Sequence, residues 1–313
     1  MLSIVRRLWN LFVNRAQILD SFVSNFLQFL PDKLYLSLRY RCKMGYWLNW
    51  TDTRTFSEKI QWLKIYDRKA EYTRMVDKYA VKKYVADLIG EKYIIPTLGV
   101  WDKIDNIDWD SLPESFVLKT TQGGGGGGVI ICRSKGQVNK AEVKRILNES
   151  MKLDLYSKFR EWPYKNVRPR IIAEQYITVS KFDDNGDLPD YKFFCFNGQP
   201  IYCQVIRGRF GDETIDFYDM EWNHQDFIGL NPLVQNGSSP VECPKHLKEM
   251  QLICQKLSKG IPFVRVDLYV TSDSVYFGEM TFYPYSGFGT FRPEIWQKKL
   301  GDLIELWEIS DSN

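Results

Sequence analysis

Phe116-Val-Leu-Lys-Thr-Thr-Gln-Gly123 runs straight into five more glycines and leaves them through Val129-Ile-Ile-Cys132. A glycine loop that cradles a phosphate in a doubly wound nucleotide fold opens a helix, whose N-terminus faces the anion. Here an apolar strand follows instead, and no Gly-Lys-Ser/Thr closes the run. Gly123, Gly124, Gly125, Gly126, Gly127 and Gly128 are therefore expected to join two antiparallel strands as a flap. Glycine lets a backbone approach an anion closely, and successive N–H groups form an anion nest. Lys119, at the end of the entering strand, adds a point charge suited to a phosphate.

Toward the C-terminus, Phe263-Val-Arg-Val-Asp-Leu-Tyr-Val270 alternates, with Arg265 and Asp267 on one face and Val264, Val266 and Leu268 on the other. Phe277, Glu279 and Thr281 share a face of the returning strand. With a loop over residues 271–275, Asp267 stands opposite Glu279 and Arg265 opposite Thr281. Two carboxylates that close repel unless a cation lies between them. Either a hard, oxygen-liganded Mg²⁺ fills that place, or Arg265 neutralises both acids in a structural cluster. Further strands are expected at Arg170-Ile-Ile-Ala173, Tyr191 to Phe196 and Pro200 to Ile206; Asn197-Gly198 joins the last two as a type I′ hairpin.

Toward the N-terminus the chain reads as helical up to about residue 90. Phe56, Ile60 and Leu63 form one stripe behind a Thr55 cap, and Tyr72 through Leu88 carries a second, closed by Gly90. Tyr93 to Trp101 is too broken by proline for a helix, while Asn139 to about Leu155 and Cys243 to about Leu257 are helical. In the first thirty residues Val5, Leu8, Trp9, Phe12, Ala16, Leu19, Val23, Phe26, Leu27 and Leu30 recur at helical spacing, with Arg6, Arg7 and Arg15 beside them. Such a helix either packs on the body or a second subunit, or lies in a cytoplasmic membrane surface.

Composition narrows the function. A 313-residue chain that is 44% hydrophobic buries a large core and suits two lobes. A net charge of +3 is too small for a general nucleic-acid binder. Six scattered cysteines without a CxxC fit a reducing cytosol, and two histidines exclude a multi-histidine metal centre. No run of 18 apolar residues is present to span a bilayer. Any chemistry must rest on Lys, Arg, Asp, Glu and a cofactor.

Together with Thr55-Phe-Ser-Glu-Lys-Ile-Gln-Trp-Leu-Lys64, Val76-Asp-Lys-Tyr-Ala80, Glu161-Trp-Pro-Tyr-Lys165, Asp190-Tyr-Lys-Phe-Phe-Cys-Phe-Asn-Gly198 and Phe277-Gly-Glu-Met-Thr-Phe-Tyr-Pro284, these segments resemble the ATP-grasp superfamily. The nearer likeness is to its teichuronopeptide-biosynthesis branch, over about residues 30–305. The resemblance implies an α+β fold, two lobes with mainly antiparallel sheets holding ATP between them. The expected division is a helical segment over 1–70, a small lobe with the flap over 71–170 and a large lobe with the metal site over 171–313.

Position by position, Lys78 and Lys119 match lysines that contact ATP phosphates, and Glu174, Gln175, Tyr176 and Ile177 match the segment along adenine. Lys192 is expected as a further phosphate contact and, with Arg265, as a catalytic residue. Asp267 and Glu279 match magnesium ligands, with Thr281 standing where many relatives carry Asn. Arg207, Arg209 and Arg292 are candidates to grip a substrate carboxylate. The implied activity is an ATP- and Mg²⁺-dependent carboxylate–amine ligase working through an acyl phosphate. Its implied partners are a uronic-acid-containing sugar of a surface polysaccharide and an amino acid or amine, and its expected place is the cytoplasm, free or at the inner face of the cell membrane. The rival classes are a sugar kinase or glycosyltransferase, and a nucleotide-binding module without turnover.

Overall fold

The computed structural model describes residues 15–124, 127–177, 190–208, 211–231 and 233–309. The expected flap is an antiparallel hairpin. β2 (Phe116–Thr120) pairs with β3 (Val129–Cys132), Lys119 opposite Val129. β4 (Ile171–Gln175) covers the other edge of β2, and β1 (Thr97–Trp101) completes a four-stranded sheet in the order β1-β4-β2-β3. One face of this sheet buries Phe116, Leu118, Ile171 and Ala173 against α6 (Lys140–Met151), which supplies Val143 and Leu147. Asn139 caps that helix by accepting from the N–H groups of Ala141 and Glu142.

Among the described residues the second sheet has six antiparallel strands in the order β11-β10-β5-β6-β7-β8, with β7 at Thr214–Asp219 and β8 at His224–Gln225. β5 (Asp190–Phe196) and β6 (Gln199–Arg207) meet at Asn197-Gly198, where φ is 49° and 82°, as a type I′ turn requires. β10 (Phe263–Val270) and β11 (Val275–Thr281) form the acidic hairpin. α8 (Leu247–Ser258) lies across β5, β6 and β10, with Met250, Ile253, Cys254 and Leu257 turned into the large core. That helix starts at Leu247 and not Cys243: Leu247 N–H closes a turn on the Pro244 carbonyl, and His246 before it is not helical, at φ −93° and ψ 12°. α3 (Phe56–Tyr66) is locked by a capping box. Thr55 accepts from the Glu58 N–H, and the Glu58 carboxylate accepts from the Thr55 N–H at 2.9 Å.

Three expectations are corrected. The stripe from Tyr72 to Leu88 is two helices, α4 (Glu71–Val76) and α5 (Ala80–Ile89), parted at Asp77-Lys78-Tyr79. Asp77 turns its carboxylate back onto the N–H groups of Tyr79 and Ala80, while Lys78 N–H is drawn to the Thr121 carbonyl. The division at residues 70 and 170 does not hold. Tyr72, Met75, Val81 and Val85 pack in the core of the six-stranded sheet, and Ile171–Gln175 belongs to the four-stranded one. The acidic hairpin's loop is one residue shorter than expected, Val270 pairing with Val275. A bulge at Gly278 takes up the extra residue, and Asp267 still faces Glu279.

Residues 15–26 are helical and form α1. Its inner face seats Val23 against Tyr35 and Leu36 of α2 (Asp32–Met44), and buried Asp20 pairs with Arg39 at 2.7 Å. Its outer face leaves Ile18, Leu19, Phe22 and Phe26 exposed. Val5, Leu8, Trp9 and Phe12 lie outside the described residues. No helix among the described residues is long and apolar enough to cross a membrane.

Candidate active site between the two sheets

The two sheets face each other across a cleft of about 2230 Å³. Four adjacent strands of the larger sheet present one polar row into it: Glu279, Asp267, Lys192 and Gln204 stand opposite one another on β11, β10, β5 and β6. Alternation decides this, because Val264, Val266 and Leu268 occupy the core face of β10 and leave Arg265 and Asp267 on the other. Lys119 reaches in from β2, and Lys78 from the break between α4 and α5.

The charges are closely matched. Arg265 donates from Nε to Asp267 Oδ1 at 2.7 Å and from Nη2 to Asp267 Oδ2 at 2.8 Å, to Glu279 Oε1 at 3.3 Å and to Thr281 Oγ1 at 3.1 Å. Lys192 Nζ donates to Asp267 Oδ2 as well. Lys78 Nζ donates to Glu279 Oε2 at 3.0 Å and to the Gly123 carbonyl at 2.9 Å, so one ammonium ties the flap's root to the acidic hairpin. Burial would raise the Glu279 carboxyl, yet Lys78, Arg265 and Lys192 hold it well below the usual carboxylate range. Burial would also lower Arg265, but Asp267 keeps it charged.

On the smaller sheet Glu174 is buried with two ammoniums, Lys119 on Oε2 and Lys82 on Oε1 at 2.7 Å. Burial opposes ionisation of Glu174; Lys119 and Lys82 win and hold its pKa down. Two cations sharing one carboxylate leave an excess positive charge on this wall. Gln175, Tyr176 and Ile177 continue along the cleft edge.

The flap's roots are built on α6. Ser150 Oγ donates to the Gly127 carbonyl at 2.9 Å and lies 2.6 Å from Thr120 Oγ1. Gly128 sits at φ +122°, and a Cβ there would meet Ser150 Oγ at 2.1 Å. Gly123, Gly124 and Gly127 also line the cleft. Gly125, Gly126 and Arg209 lie outside the described residues.

Of the remaining arginines, Arg207 lines the cleft with Nη2 fixed by Asp216 at 3.0 Å and the Ser239 carbonyl at 2.9 Å. Arg292 does not line it. It is exposed at the end of β12 (Thr290–Arg292), because Phe291 takes the inward position of that short strand. Lys82, Lys64 and Glu161 were not singled out from sequence, although all three belong to this region. Lys82 lies one helical turn after Lys78, a signal that was available. Lys64 and Glu161 stand inside stretches that carried the resemblance, with no spacing to mark them.

The residues present fit a magnesium-bearing triphosphate in the chemistry of their donors. Among the described residues no group of three or more His, Cys, Asp or Glu is arranged for a metal. Two carboxylates and the Thr281 hydroxyl instead offer an oxygen-only, incomplete set, suited to a hard cation that takes its other ligands from phosphate. Asp267 and Glu279 would hold that metal, and Lys78, Lys119, Lys192 and Arg265 would face the phosphates.

Two antiparallel sheets enclosing a lysine-lined cleft beneath a glycine hairpin define an ATP-grasp fold. The profile of the family described as TupA-like ATPgrasp matches residues 58–305, and the chain belongs to that family. No curated protein matches the chain. Among solved structures it is similar to D-alanine–D-alanine ligase from Bacillus anthracis complexed with ATP, at 17% identity and TM-score 0.38 over 67% of this chain and 54% of that one. It is similar to D-alanine–D-alanine ligase from Helicobacter pylori at 14% identity and TM-score 0.43, over 80% of this chain and 69% of that one. It is also similar to the ATP-grasp ligase PsnB complexed with precursor peptide PsnA2 and AMPPNP, at 11% identity and TM-score 0.39, over 72% of this chain and 58% of that one. The chain thus spans a little over half the length of the Bacillus anthracis ligase, and likenesses this distant carry no inference about substrate.

Proposed function

We propose that this chain couples ATP cleavage to amide formation, joining a carboxylate to an amine through an acyl phosphate. The observation that carries this reading is the convergence of Lys78, Lys192 and Arg265 on the Asp267–Glu279 pair, under the root of the glycine hairpin, in a cleft that Lys119 lines from the other sheet. Preorganised positive charge of this kind stabilises a phosphoryl group in transfer. Bound magnesium would balance charge on the phosphate oxygens. Lys78, tied to both flap and acidic hairpin, links loop position to the charge at the reacting end. Closing the flap would keep water from the activated acyl group. Arg207, held by Asp216, is preset to receive a carboxylate. We infer from the family that the acid is a uronic acid of a surface polysaccharide and the amine an amino acid.

The test is incubation with ATP, magnesium and a matrix of uronic acids and amino acids, read by mass spectrometry. ADP and free phosphate should appear only with both substrates, and hydroxylamine should replace the amine to give a hydroxamate. ADP without free phosphate would mark a kinase. AMP with pyrophosphate would mark adenylation, and either result overturns the reading.

A further inference from the structure

Four buried carboxylates line the cleft among the described residues: Glu161, Glu174, Asp190 and Asp267. Glu174, Asp190 and Asp267 each have an ammonium or guanidinium within 4.0 Å. Glu161, only 8% exposed, has none among the described residues. Its Oε1 accepts from the Ser286 hydroxyl, and no described residue donates to its other oxygen. That second oxygen is open to the cleft and not sealed in the protein, so it is available to a cation that enters there.

The wall beside Glu161 is built at conformational cost. Tyr285, Ser286 and Gly287 are successive left-handed residues, with φ of 51°, 52° and 68°. Left-handed backbone disfavours Tyr and Ser by roughly 1–2 kcal/mol each, so the turn persists only because its surroundings fix it. α3 does the fixing. Gln61 Nε2 and Lys64 Nζ both donate to the Ser286 carbonyl, at 2.9 and 2.8 Å. Gly287 packs so closely on α3 that a Cβ would meet Ile60 Cγ2 at 2.5 Å. The result aims the Ser286 hydroxyl at Glu161.

Lys64 stands behind this wall. Its Nζ also donates to the Phe159 carbonyl at 2.9 Å, and no ion pair joins it to Glu161. Burial pulls its pKa down against the attraction of Glu161, and its ammonium is engaged by the Phe159 and Ser286 carbonyls and not by Glu161. Burial likewise pushes the Glu161 carboxyl up, against Lys64 and the Ser286 hydrogen bond. Tyr164, also lining the cleft, feels both Glu161 and Glu279; after burial, those two carboxylates push its phenol up.

We propose that Glu161 receives the ammonium group of an organic amine, the acceptor, in a pocket walled by the Tyr285–Gly287 turn. The proposal rests on the ligase reading for the amine's role as acceptor, and on the structure for the site. Phe159, Tyr285 and Phe288 flank the same end of the cleft and suit the carbon body of an amine or amino sugar.

Ligand-observed NMR on the full chain, with magnesium and a non-hydrolysable ATP analogue, tests it. The probes are ethanolamine, glycine, L-glutamate and glucosamine, with tetramethylammonium as a cation that has no N–H. At least one N–H-bearing amine should bind, and tetramethylammonium should not compete. Glu161→Gln should weaken that binding at least tenfold, with the fold checked by thermal unfolding. Should Glu161→Gln fail to fold, Glu161→Asp, which keeps the charge but draws the carboxylate back by one methylene, is expected to weaken binding at least threefold. Absence of amine binding to the wild type, or unchanged binding in a folded variant, overturns the proposal. Hydroxamate formation reports on the ligase reading separately. Amine binding through Glu161 without any hydroxamate leaves the site standing and removes the ligase. Hydroxamate without Glu161-dependent binding does the reverse.

Discussion

Asp267 is almost completely buried, with Arg265 on both oxygens and Lys192 on one of them, whereas the Glu279 side chain is 37% exposed. By sequence the two acids either repel until a metal separates them or are neutralised by Arg265. In the structure they are neutralised by three cations, so losing one acid exposes buried positive charge and does not relieve strain. Asp267→Asn should therefore destabilise by about 3 kcal/mol or more, the usual loss when one partner of a buried pair is removed. Glu279→Gln should cost less than half as much, because solvent screens what remains. Turnover should fall by orders of magnitude in both. Urea unfolding of the two variants checks the ranking; equal small losses would show that Arg265 and Lys192 find other partners. This neutralised cluster is the alternative that sequence left open. It coexists with a metal-binding role, since a triphosphate can take over the cations. Strand alternation made Arg265, Asp267 and Glu279 legible as one face. Glu161 was not legible, because its importance comes from a missing partner, and partners across 125 residues leave no periodic trace.

At the level of elements, periodicity carried most of the reading. The glycine hairpin, the capped helix α3 and the Asn197-Gly198 turn follow from local chemistry that needs no distant partner. What failed were breaks imposed from elsewhere. The helix from Tyr72 splits where the Thr121 carbonyl takes the Lys78 N–H, and the left-handed turn at Tyr285 and Ser286 uses residue types that do not advertise it. The hairpin's own roots give a sharper prediction. Gly128→Ala combines a positive φ with a 2.1 Å approach to Ser150 Oγ, and should lower stability by about 1–3 kcal/mol. Gly127→Ala meets nothing within 4 Å and should change it by less than about 0.5 kcal/mol. Equal effects in thermal unfolding would mean that Ser150 does not hold the flap.

For the whole molecule, two sheets and their order were legible, but the division between them was not. α4 and α5 precede the small sheet in sequence yet pack in the larger core, which only the three-dimensional meeting of Tyr72 with Phe282 reveals. The N-terminal helix is likewise half decided. Its inner face packs on the body. Removing residues 1–28 would leave Arg39, 3% exposed, without Asp20, and should destabilise by about 3–5 kcal/mol. Phe22→Ser with Phe26→Ser leaves that pair intact and should hardly alter unfolding. We propose that the outer face rests on an anionic membrane surface, so the double variant should sediment less with anionic vesicles than the wild type; equal sedimentation would dismiss that contact.

The central claim is that a substrate carboxylate is phosphorylated before the amine attacks, and oxygen transfer tests it most directly. In that path a carboxylate oxygen bonds to phosphorus and leaves with it when the amide forms. With ¹⁸O in the carboxylate of the acid substrate, the released phosphate should carry one ¹⁸O per turnover. Phosphate free of label alongside amide product, or label appearing in AMP, would contradict the account.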